Sequence, residues 1–134
     1  MIQIRVAPLH EVEAEALLRP VSSELAAVTG VGREVDLRVG ERIHERLRAL
    51  GTVPVGSAIV TPGGDLPVPF IIHVAVQSSE EAVTEAGIAR ALLNGLRRAS
   101  EWDIESMALP PLGTGAGNLD PERSAAVMLP VLAA

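Results

Sequence analysis

Residues 68–76, VPFIIHVAV, are apolar at almost every position. A strand formed there has no face it can leave to water, so it belongs in the middle of a sheet covered on both sides. The neighbouring segments fit that demand. "IQIRVA" (2–7) alternates apolar and polar residues as a half-buried strand does. "AEALLRP" (14–20) reads as a second strand closed by Pro20, and "VGSAIVT" (55–61) as a third, joined to 68–76 by the turn PGGDLP. Over 33–50, Val35, Val39, Ile43, Leu47 and Leu50 recur at helical spacing, with Gly40 placed to divide the run into two helices. Arg38, Arg42 and Arg46 form a stripe on the opposite face, diluted by Glu41 and Glu45, with a Glu34–Arg38 pair one turn apart. Ser78 and Glu81 have the spacing of a capping box for a helix over about 79–101, and "IESMAL" (104–109) is the next strand. Asp120 and Pro121 suit the N-cap and first position of a last helix. Strands alternating with helices predict an α/β fold: a three-layer α/β/α domain around a central mixed sheet, one domain over 1–134.

Composition narrows the chemistry. The chain has no cysteine, which excludes disulfides, thiolate nucleophiles and Cys-bound metals. All 11 basic residues are arginine, so there is no lysine for a Schiff base or a Walker loop. His10, His44 and His73 are scattered, and no metal site or cofactor is expected. Phe70 and Trp102 are the only aromatics, which leaves a ligand little to stack on. A net charge of −6 argues against nucleic acid as a partner. No apolar run reaches membrane-spanning length and the N-terminus does not read as a signal peptide, so no membrane contact and a cytoplasmic location are expected.

The most unusual stretch is PPLGTGAGNLDP (110–121), in which Gly113, Gly115 and Gly117 alternate between a strand and a helix start. Main-chain amides freed of Cβ atoms, next to the positive end of a helix dipole, make an anion site. A βα turn that needs positive φ calls for the same glycines. The loop is neither G-x-G-x-x-G nor a Walker motif, and both readings stay open on its sequence.

Taken in order, the segments resemble a macro domain, the family that binds ADP-ribose and in some members hydrolyses its conjugates. Glu15-Ala16-Leu17-Leu18-Arg19-Pro20-Val21-Ser22 aligns with the family's D-A-I-V-N-x-A-N. "VTGV" (28–31) and "VG" (39–40) fall where the first phosphate loop and its helix end are expected, and "VPVGSAIVTPGGDLP" with "FIIHVAV" is similar to the G-x-A-x-x-T-x-G-x-L and I-I-H segments. "SMALPPLGTGAGNLDPERSAAVML" matches the second phosphate loop and its helix. The resemblance implies a ligand site at Leu9, Arg19, Ser22, Gly30 and Val31, with Gly113, Thr114, Gly115, Ala116, Gly117 and Asn118 around the phosphates.

The departures fall on the same positions. Pro8 stands where the family has its adenine-reading Asp, and Arg19 and Ser22 replace the two Asn near the distal ribose. Val28 and Thr29 replace loop-one glycines, leaving Gly30, and Gly117-Asn118-Leu119 carries no ring. The chain is also expected to end before the terminal strand and helix of many members, with a homodimer covering the sheet edge so left. The implied function is a module binding an ADP-ribose-like or other phosphorylated small molecule through 113–118. The alternatives are a hydrolase or phosphatase, for which no obvious general base is offered and Glu15 and Asp120 are candidates by proximity alone, and a scaffold acting through protein contacts.

Several single residues have two readings. Arg19 is either a charged anchor for an anion or a cleft plug paired with Glu15 or Glu24. Ser22 and Thr29 offer hydroxyls to a ligand or cap turns. His10 lies at the adenine end as a polar contact or an ordinary loop residue. His73 is expected to satisfy a core hydrogen bond, His44 to face solvent, and Trp102 to pack on the sheet.

Overall fold

The computed structural model describes residue 7, residues 9–114 and residues 119–133. The strand expected at 2–7 lies outside the described residues apart from Ala7, which is in a bend. After a short 3-10 turn, Leu9–Glu11, the elements are β1 (Ala16–Ser22), α1 (Gly30–Arg38), α2 (Glu41–Leu50), β2 (Ala58–Pro62), β3 (Phe70–Gln77), α3 (Glu85–Glu101), β4 (Met107–Ala108) and α4 (Pro121–Ala133). The described sheet is mixed, in the order β2-β3-β1-β4, with β1 parallel to β3 and β4 and β2 antiparallel to β3.

Alternation along the strands sends side chains to two cores. Ala16, Leu18, Ile72, Val74 and Val76 pack with Ile88, Ala91, Leu92 and Met128 of α3 and α4. Leu17, Val21 and Ile71 pack with Val35, Val39, Ile43 and Leu47 of α1 and α2. β3 is therefore buried on both faces, as its apolar run demands, and the domain has three layers. Each fully buried Leu or Ile contributes about 1.5–3 kcal/mol of transfer free energy to that arrangement. Gly40 divides the helical run as expected: its φ is +94°, and a Cβ there would sit 2.5 Å from Asp65 Oδ2. Arg38 pairs with Glu34 across one helical turn at 3.4 Å.

Four expectations change. Pro20 does not close β1 but lies buried within it. Glu15 O accepts from Phe70 N on the β3 side, whereas Ala16 N donates to Ser106 O on the β4 side. Even-numbered residues thus face β4, whose pairing stops at Leu17, and the missing N–H of Pro20 breaks no β1–β3 bond. The long helix begins at Glu85, not 79. Ser78 Oγ does accept from Glu81 N at 3.0 Å, but this closes a separate turn, and Thr84 Oγ1, accepting from Gly87 N at 2.9 Å, is the cap. "IESMAL" yields only the two half-buried residues of β4, at an edge of the described sheet, because Pro110 and Pro111 follow and cannot extend a ladder. Trp102 reaches the sheet only at its edge, meeting Phe70 of β3 edge-on at 5.5 Å, and stays 54% exposed instead of being packed away on it.

Candidate functional site

The parallel strands β1 and β4 lie side by side, and the chain leaves them in different directions. From β1 the turn 23–29 leads to α1 on one face of the sheet, and from β4 the segment 109–120 leads to α4, which packs beside α3 on the other. Neighbouring strands whose connections diverge in this way leave a crevice at their carboxyl ends, the place where α/β sheets hold ligands.

The β1 side of the crevice is set by two hydroxyls. Ser22 Oγ accepts from Glu24 N and Ala26 N at 3.3 and 3.4 Å, shaping the turn. Thr29 Oγ1 accepts from Gly32 N at 3.0 Å and caps α1. Both hydroxyls thus serve the main chain, as turn residues often do. Gly30, the first residue of α1, is exposed, and no described residue lies within 4 Å of the position its Cβ would occupy. The first turn of a helix presents amides without intrahelical partners. Leu9 is buried against the α1–α2 side of the sheet. Val31 belongs to α1, but its side chain, like that of His10, lies outside what the structure describes.

The β4 side is anchored by α4. Leu112 is fully buried, its N–H donating to Met128 Sδ and its carbonyl accepting from Ser124 Oγ at 2.8 Å. Gly113 follows with φ +83°, and a Cβ there would lie 2.5 Å from Ile88 Cδ1. This first glycine of the loop is therefore required by the turn and by close approach to α3. Thr114 Oγ1 donates to Pro111 O at 3.1 Å. Leu119 N donates to Gly113 O at 2.9 Å, drawing the two ends of the loop together. Gly115, Ala116, Gly117 and Asn118 lie outside the described residues. Asp120 Oδ1 accepts from Arg123 N at 2.8 Å, so Asp120 is the N-cap of α4, with Pro121 as its first residue.

Arg19 is the largest fully buried side chain among the described residues. Its partner is Asp36 of α1, at 2.6 Å from Nη1, and not Glu15 or Glu24. Nη1 also donates to Gly32 O at 3.2 Å and Nε to His73 Nδ1 at 2.9 Å, while Nη2 is buried with no hydrogen-bond partner among the described residues. Burial pulls the guanidinium below its ordinary value and Asp36 opposes this. Burial, and then the charge of Arg19, hold the His73 imidazole well below the usual histidine range. His73 is thus neutral with its Nδ1 accepting, so its Nε2 carries the proton and donates to Thr61 Oγ1 at 2.9 Å. Thr61 in turn donates to Pro62 O at 3.0 Å. His73 is the satisfied core histidine expected from the sequence. His44 is not solvent-facing: it is half-buried, with Nε2 2.7 Å from Asp36 O. Among the described residues no group of acidic and histidine side chains is placed to hold a metal ion. Asp36, Thr61 and Ser124 carry no sequence signal of their own, since each acts through a partner distant along the chain that local spacing does not reveal.

The model of the macro domain family matches residues 19–128. The chain belongs to the macro domain family. An uncharacterised protein of Aeropyrum pernix is 33% identical over 126 residues, covering 89% of this chain and 64% of its own length. This macro domain thus spans just under two thirds of that relative. A macro domain-containing protein of Cupriavidus necator is 28% identical, covering 96% of this chain and 78% of its own. Among solved structures, the macrodomain of Mycobacterium tuberculosis DarG superposes with a TM-score of 0.85 at 26% identity, covering 99% of this chain and 90% of that one. The Oceanobacillus iheyensis macrodomain with ADP superposes with a TM-score of 0.84 at 20% identity, covering 95% and 72%, and shares the fold. No helix among the described residues is long and apolar enough to cross a membrane.

Proposed function

We propose that this macro domain binds an ADP-ribose-like phosphorylated small molecule in the crevice between β1 and β4. Its phosphates would lie between the first turn of α1, at Gly30 and Val31, and the loop 113–118. What supports this reading is that the neighbouring strands β1 and β4 lead to helices on opposite faces of the sheet, with exposed Gly30 opening α1 and the Leu119 N–Gly113 O bond drawing together the ends of the glycine loop. Macrodomains of the same fold are described with ADP and with ADP-ribose bound, which supports the choice of ligand class. Arg19 is committed to Asp36 and His73, so the phosphates are held by main-chain amides and helix dipoles and not by its charge. A dipole contact contributes roughly 0.3–1 kcal/mol, and Pro8 offers no carboxylate to adenine. Binding is therefore weaker than in a site with a full set of side-chain contacts.

Hydrolysis of ADP-ribose conjugates is expected to be weak or absent. At the two positions where the family carries Asn, the Arg19 guanidinium is buried and the Ser22 hydroxyl serves a turn. Turnover of an ADP-ribosylated protein at the rate of an active family member would overturn that expectation. Binding itself is tested by a thermal-shift panel of ADP-ribose, ADP, AMP, phosphate and pyrophosphate. A ligand that binds only the folded state raises the melting temperature, by about 2.7 kcal/mol of stability at a hundred times its dissociation constant. A rise with ADP-ribose or ADP supports the reading, and no rise with any of the panel contradicts it.

A further inference from the structure

At the opposite edge of the described sheet from β4, two clefts flank β2 and meet at Ile59, which lines both. One, about 440 Å³, lies between the end of α2 and the end of α3, walled by Leu50, Val60, Pro62, Phe70 and Trp102 with Arg46 at its rim. The other, about 510 Å³, runs along α3 past Gly56, Arg90, Asn94, Arg97 and Arg98.

Three features set this edge apart. The only two aromatic rings of the chain meet here, and Trp102 and Leu50 are 54% and 48% exposed. Tryptophan and arginine, both present here, are the residue types enriched in interaction hot spots. The charge is also inverted. The chain has 17 acidic and 11 basic residues, yet the two clefts are lined by Arg46, Arg90, Arg97 and Arg98 against the single acid Glu101. Glu101 is already paired with Arg98 at 2.9 Å, and no ion pair holds Arg46, Arg90 or Arg97 among the described residues. Finally, the edge is partly blocked against simple strand addition. Asn94 Nδ2 occupies Gly56 O at 2.7 Å, Arg98 Nε occupies Ala58 O at 3.3 Å, and Pro62 has no N–H to give. A partner here is gripped through side chains.

We propose that the β2 edge is a docking groove for an acidic peptide segment of a partner protein. One apolar side chain of that segment seats against Trp102 and Leu50, and its carboxylates meet Arg46, Arg90 and Arg97. The groove lies away from the β1–β4 crevice and does not depend on what binds there.

Trp102 is the single tryptophan and the chain has no tyrosine, so its fluorescence reports on this groove alone. The protein is used to select from a display library of random linear peptides, and the enriched sequences lacking Trp and Tyr are titrated against it. Acidic sequences with a large apolar residue should be enriched and should shift Trp102 emission to the blue. Raised salt should weaken them, and Arg90→Glu/Arg97→Glu should weaken them by roughly tenfold or more. Both arginines are exposed, so the variant's unchanged melting temperature shows that the loss is not unfolding. No enrichment, enrichment without acidic residues, or equal binding by the variant overturns the proposal. So does a blue shift that follows protein concentration alone, which marks a second copy as the occupant, or one produced only by anionic vesicles.

Discussion

Arg19 Nη1 and Asp36 Oδ1 lie 2.6 Å apart, joining the middle of β1 to α1 from beneath the sheet-facing side of the helix. The pair sits under the helix whose first turn forms one wall of the β1–β4 crevice. It continues through His73 and Thr61 to the end of β2, so one polar chain crosses β1, β3 and β2 inside an apolar layer.

Removing the carboxylate takes away the anion paired with that buried guanidinium and leaves it only the neutral acceptors Gly32 O and His73 Nδ1. Asp36 is partly exposed and Arg19 is not, so the cost falls mainly on the arginine. Asp36→Ala should destabilise the fold by about 1–3 kcal/mol, the cost of a buried donor left unsatisfied. Asp36→Asn, which keeps an acceptor, should cost less. Urea unfolding of the two variants checks the order; equal losses would show that the carboxylate is dispensable.

His73 makes stability depend on pH. Its folded value is held well below the ordinary 6.5, so the unfolded chain takes up the proton first. The stability contributed by neutral His73 is complete above about pH 6.5 and is lost as the pH falls toward the folded value, at up to about 1.4 kcal/mol per pH unit. His73→Gln should be less stable at neutral pH and show a flatter profile from about pH 6.5 down to the carboxylate range. Chemical unfolding across that window checks it, and parallel profiles for the two proteins would contradict it.

Ser124 anchors the glycine loop from α4. Ser124→Ala leaves the buried Leu112 carbonyl without its donor and should cost about 1–3 kcal/mol. Amide hydrogen exchange should also quicken at Leu119, whose N–H bonds Gly113 O. Unchanged exchange there would show that the loop's neck holds without the α4 contact.

The sequence was most readable where one residue type answers one local demand. β3 needed cover on both faces, Val35, Val39, Ile43 and Leu47 kept helical period, Gly40 broke it, and Asp120–Pro121 opened α4. The start of α3 is hard to read because Ser78 and Thr84 both accept a main-chain N–H three residues on, and only the second leads into helix. Pro20 resembled a terminator because its harmlessness depends on which neighbour its missing N–H would face. At the candidate site, the turn-forming roles of Ser22 and Thr29 follow from local spacing. The Arg19–Asp36–His73 network does not, since β1, α1 and β3 meet only in the folded sheet.

The central claim is that the crevice between β1 and β4 takes a phosphorylated ligand on main-chain amides from both walls. The direct measurement is an amide-resolved NMR titration with ADP-ribose, repeated with inorganic phosphate. Saturable shifts confined to residues 22–31 and 113–119, with phosphate moving the same amides more weakly and Trp102 unmoved, are the predicted result. No saturable shift with ADP-ribose, or shifts gathered elsewhere in the domain, would contradict it.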